Sequence, residues 1–146
     1  MATVELRFSA QPEHVRTARL VAAAVARRAG VDEAVLDEVR LAVGEACSRA
    51  VGLHRSHGVD APIRVVLTDE EKAFSIEVGD EVPLPGASGS PDASGAARGV
   101  DEDADGEDEM GLAVIRGLVD DMDVSSSDVG GVIRMSWPTT PAILLP

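Results

Sequence analysis

The sequence predicts a single α/β domain: a two-layer sandwich with a mixed, mainly antiparallel sheet of about five strands covered by three helices. Three observations predict it. Short segments that alternate polar and apolar residues bracket two long segments whose apolar residues recur at helical spacing. The elements follow in the order β-α-α-β-β-loop-α-β-β. The length, 146 residues with 45% apolar, is that of one domain able to bury a core.

The elements read in order as follows. TVELRF (3–8) alternates and is a half-buried strand. Pro12 suits a first helical turn, and the Ala- and Val-rich helix it opens runs to about Ala29, where Gly30 stops it. Asp32 can cap the next helix, whose stripe is Val35, Val39, Ala42, Ala46 and Ala50, with Leu36, Val43 and Cys47 beside it. Gly58 and Pro62 mark a turn. IRVVLT (63–68) and AFSIEV (73–78) form an antiparallel hairpin across the charged turn DEEK. Residues 80–110 have linker composition followed by the acidic run DEDADGEDE, and are expected to be a long disordered lid. GLAVIRGLVDD (111–121) is a short helix with Leu112, Ile115, Leu118 and Val119 on one side. DVSSS and GVIRMSW are the last two strands, around a turn at Asp128–Gly131.

The core is aliphatic, because Phe8, Phe74 and Trp137 are the only aromatic residues. The net charge of −13 argues against nucleic acid or an anionic membrane as partner. Ten acids against Arg98 alone lie between Asp80 and Glu109. Cys47 is the single cysteine, so no internal disulfide forms and a cytoplasmic location is expected. Its apolar helix flank marks it as a small core residue. MATVELRFSA lacks a signal-peptide core, and the apolar run LVAAAVA is too short to span a bilayer.

Several chemistries have no support. His14, His54 and His57 are scattered and Cys47 has no companion, so no metal-ligand cluster is visible. There is no G-x-x-x-x-G-K, no G-x-G-x-x-G after a strand, and no credible Ser/His/Asp set. What remains is Glu45 on the second helix, Asp80 at a strand end and Gly111 at the start of the third helix. In a sandwich of this order they converge on one rim, where a helix N-terminus favours an anion.

RFSA with Ala18-Arg19, LAVGEACSRAV, VGDEV, MGLAVIRGLVDDMDV and GGVIRMSW occur in that order over nearly the whole chain. Together they resemble the GHKL (Bergerat-fold) ATPases, within them the small bacterial anti-sigma factors that double as serine kinases. The resemblance implies ATP or ADP with Mg²⁺ as cofactor and Glu45 as general base. It implies a nucleotide site at positions 49, 80, 82, 84, 109, 111 and 112, here Arg49, Asp80, Val82, Leu84, Glu109, Gly111 and Leu112. It implies a sigma factor or an anti-sigma antagonist as partner, often across a homodimer. Arg19, near Arg16 and His14, matches the arginine of that branch that contacts its partners.

The chain departs from the pattern at four points. Arg49 stands where an asparagine chelates Mg²⁺, and a guanidinium has donors only. Arg49 is either an ordinary ion-pair partner of Glu45, four residues before it, or a direct phosphate ligand. Val82 and Leu84 replace glycines, with Pro83 between them. Glu109 replaces a third glycine. Seven acids in 101–109 would face a triphosphate, and one like-charge pair at ~4 Å costs about 4 kcal/mol at an effective dielectric of about 20. The reading is a partner-switching regulator with ATP binding weakened or lost. The alternatives are an active serine kinase acting on an antagonist, and a non-enzymatic adaptor of the same fold.

Overall fold

The computed structural model describes residues 2–83 and 111–139. Strand β1 is Ala2–Phe8, followed by helix α1 at Pro12–Ala29, a 3₁₀ turn at Glu33–Val35 and helix α2 at Leu36–Ser56. Strands β2 (Ile63–Asp69) and β3 (Ala73–Gly79) come next. Helix α3 covers 111–118, and strands β4 (Asp121–Ser127) and β5 (Gly130–Pro138) complete the described chain.

The helix ends follow local chemistry. Pro12 opens α1, where a missing N–H costs nothing. Gly30 closes it at φ 101°, a left-handed turn in which Val31 N–H reaches Ala26 O at 3.0 Å. Asp32 Oδ1 accepts from Ala34 N–H at 3.0 Å, so it caps the 3₁₀ turn that leads into α2.

The sheet order is β1-β2-β3-β5-β4. Every pairing is antiparallel, where the sequence left room for a mixed sheet. The reason is connectivity. The two-helix crossover from β1 returns β2 antiparallel beside it, and β5 inserts between β3 and β4 with the polarity of a hairpin partner to both. The third helix ends at 118 rather than 121, because Asp121 and Met122 pair with Ser136 and Met135.

One face of the sheet meets the helices. Ile63, Val65, Leu67, Phe74, Ile76, Val78, Ile133, Met135 and Trp137 point into the layer between them. From the other side come Ala18, Ala22 and Ala26 of α1, Val39, Ala42, Val43, Ala46 and Ala50 of α2, and Ile115 of α3. Trp137 stacks on Phe74 at 6.5 Å and donates its indole N–H to Leu118 O at 3.0 Å, which ties the end of α3 to β5. Cys47 is buried in this core, as expected, and burial pushes its thiol up to about 12. Among the described residues no helix is long and apolar enough to cross a membrane.

Candidate functional site

Asp80 follows β3 directly and is the residue around which the rim is built. Its N–H donates to Gly131 O at 2.9 Å. Its Oδ1 accepts from Val82 N–H at 2.9 Å and from Gly131 N–H at 3.2 Å. The carboxylate is thus held by the backbone on both sides of it, and its side chain is only 5% exposed. Gly130 makes this possible. At φ 149° its missing Cβ would stand 2.0 Å from Asp80 O, so no side chain fits there.

The other oxygen, Oδ2, faces Arg49 of α2, with Nη1 at 3.9 Å. This corrects the expected Glu45–Arg49 pair: among the described residues Glu45 forms no ion pair, and Arg49 reaches across to the sheet instead. An arginine is long enough to choose a buried carboxylate over its half-buried helical neighbour, and low local dielectric rewards that choice.

Glu45 turns the other way. Its Oε2 lies 3.5 Å from the point where a Cβ on Gly111 would be. A side chain at 111 would meet that carboxylate in ordinary van der Waals contact. Leu112, the next residue, packs against the core. So α2 touches both flanks of the rim: Arg49 meets Asp80 after β3, and Glu45 meets the beginning of described α3. Val82 is buried, its N–H already used by Asp80. Leu84 and Glu109 lie outside the described residues, as does most of the expected lid.

The first-helix residues differ among themselves. His14 is engaged locally, with Nδ1 3.2 Å from Ser9 Oγ and 3.1 Å from Ser9 O, and its ring edge on Phe8. Arg16 is exposed. Arg19 lays its aliphatic stem across α2, where a Cβ on Gly44 would meet its Cδ at 3.0 Å. Gly44, the residue before Glu45, is therefore a seat for Arg19. Leu20 and Leu41 stand 59% and 52% exposed on the same two helices.

Sequence reasoning passed over His54. It is fully buried near the end of α2. Its Nδ1 lies 3.0 Å from Ala61 O, and its Nε2 takes the Glu81 N–H at 2.9 Å. No periodic signal marks such a residue, because both partners are backbone groups brought in by the fold. Among the described residues no cluster of His, Cys, Asp and Glu is placed to hold a metal ion. Arg49 presents N–H groups alone.

No curated protein matches the chain in sequence. The solved structure of the RsbU and RsbW domains of Rv1364c from Mycobacterium tuberculosis superposes with a TM-score of 0.66 at 16% identity. That match takes in 100% of this chain and 35% of the other, so this chain spans about a third of that protein's length, and the likeness is one of fold. The family model of the histidine kinase-like ATPase domain matches residues 8–137, from the end of β1 to Trp137 on β5. The chain belongs to the histidine kinase-like ATPase domain family.

Proposed function

We propose that this domain is a partner-switching regulator of transcription in which the nucleotide site has been weakened or lost. It binds a sigma factor, an anti-sigma antagonist, or both in turn. One observation carries the reading: the guanidinium of Arg49 faces the Asp80 carboxylate at 3.9 Å. By resemblance the first position should hold Mg²⁺ and the second should read adenine. A cation fixed between them cannot ligate Mg²⁺ and competes for the oxygen that adenine would use. The residues do not fit a magnesium nucleotide, and no catalytic step is assigned to Glu45.

The partner surface in this reading is the outer side of α1 and α2, with Arg16 and Arg19 beside the exposed Leu20 and Leu41. Two arginines flanking two leucines supply the anchor residues that protein interfaces favour. The excess acid elsewhere suits a basic partner segment by steering its approach. A homodimer belongs to the same proposal.

The test is titration calorimetry with ATP and ADP, with and without Mg²⁺, on the wild type and on Arg49→Asn. Absence of heat for the wild type up to millimolar nucleotide is the expected result. Micromolar, Mg²⁺-dependent binding would overturn the reading and favour an active serine kinase. Capture experiments with candidate sigma factors and antagonists separate the regulator from an adaptor: Arg19→Ala should weaken a true partner.

A further inference from the structure

We infer that His54 is a positioning residue for the Asp80 rim, and that it performs this only as the neutral tautomer protonated on Nδ1. A backbone carbonyl can only accept, so the contact of Nδ1 with Ala61 O at 3.0 Å places the proton on Nδ1. A backbone amide can only donate, so Nε2 must be bare to take the Glu81 N–H at 2.9 Å. The ring is fully buried, and both of its nitrogens are used.

Its place in the rim gives this meaning. Of the three amides that follow β3, Asp80 N–H goes to Gly131 O and Val82 N–H to the Asp80 carboxylate. Glu81 N–H alone is held from the helical layer, by His54. The sheet therefore fixes one end of the 80–82 turn, and His54 fixes its middle to the same helix that carries Glu45 and Arg49. The distance between the Asp80 carboxylate and α2, and hence the Arg49 contact at 3.9 Å, depends on this clamp. Its functional weight rests on the reading of the Arg49–Asp80 contact as what weakens the nucleotide site; the clamp itself does not.

Two amide side chains separate the ring's two roles. Asparagine can reproduce the Nδ1 donor and glutamine can reach the Nε2 acceptor position. The experiment measures amide exchange at Glu81 and Val82 by NMR in the wild type, His54→Asn and His54→Gln, with urea midpoints for each. Imidazole ¹⁵N spectra of the wild type report the tautomer without any substitution. The expected result is a bare Nε2 in the wild type. Glu81 exchange should be about tenfold or more faster in His54→Asn than in His54→Gln at matched midpoints. A protonated Nε2, or equal Glu81 exchange in the two variants, would overturn the inference. If either variant fails to fold, the wild-type tautomer and the Glu81 protection decide alone. Nucleotide titration of the same proteins tests the reading of the Arg49–Asp80 contact separately, since tight Mg²⁺-dependent binding by the wild type would overturn it and leave the exchange result standing.

Discussion

Replacing Gly130 by alanine tests the construction of the rim directly. The new methyl would sit 2.0 Å from Asp80 O and 2.9 Å from both Asp80 C and Glu81 Cα. All three are backbone atoms that cannot rotate aside. Alanine would also have to hold φ near 149°, a strain of about 1–3 kcal/mol. Relieving the contact means parting β5 from residues 80–82 by more than an ångström. That stretches the Asp80 N–H to Gly131 O bond and the Gly131 N–H to Asp80 Oδ1 bond, each worth about 1 kcal/mol. The expected loss is about 3–5 kcal/mol, read from urea unfolding as a fall in midpoint with an unchanged slope. Gly52→Ala is the control. Its Cβ would meet nothing within 4 Å on α2, so it should raise stability by about 0.5–1 kcal/mol. A Gly130→Ala protein that loses less than about 1 kcal/mol would refute the claim that glycine is required there.

Burial raises the Cys47 thiol to about 12 from an ordinary 9.0, so its contribution to stability is whole below 9.0 and is lost as pH climbs toward 12. Cys47→Ala should flatten that part of the stability profile, and native Cys47 should resist thiol reagents at pH 8 until the chain is unfolded. Trp137→Phe removes the donor to Leu118 O and should cost about 1–3 kcal/mol in urea unfolding, with the carbonyl left in a half-buried place. Arg49→Leu and Asp80→Asn should be non-additive by about 1 kcal/mol in a double-mutant cycle, whereas Arg49→Leu with Glu45→Gln should be additive.

Much of the fold was legible because its signals are local. The alternation in 63–68 and 73–78 and the stop at Gly30 each depend on neighbouring residues, and the structure keeps them. The end of α3 was not, because the helical pattern runs on to Asp121 until β5 captures that residue as a strand partner. The direction of β1 against β2 and of β3 against β5 was likewise invisible, being set by which strands become neighbours. At the site, the approach of Glu45 to Gly111 agrees with the element order. The Arg49 contact was not legible: the i,i+4 rule sees only the helix, while a long side chain answers to the sheet beneath it. His54 was missed for a related reason, since Ala61 and Glu81 lie 7 and 27 residues away and offer only main-chain groups.

The alanine seam between the first two helices has a mechanical consequence. Four of the five buried residues of α1 are alanines, and Ala42, Ala46 and Ala50 run along α2. Alanine has no side-chain rotamers, so a displacement there cannot be absorbed by rearranging side chains. Close packing then passes the displacement on nearly undiminished. The helix pair behaves as a stiff beam rather than a cushion. Arg19 loads that beam through Gly44, one residue from Glu45 and five from Arg49. A displacement of Arg19 at the outer surface would therefore meet few side chains able to absorb it before it reached the turn of α2 that carries Glu45.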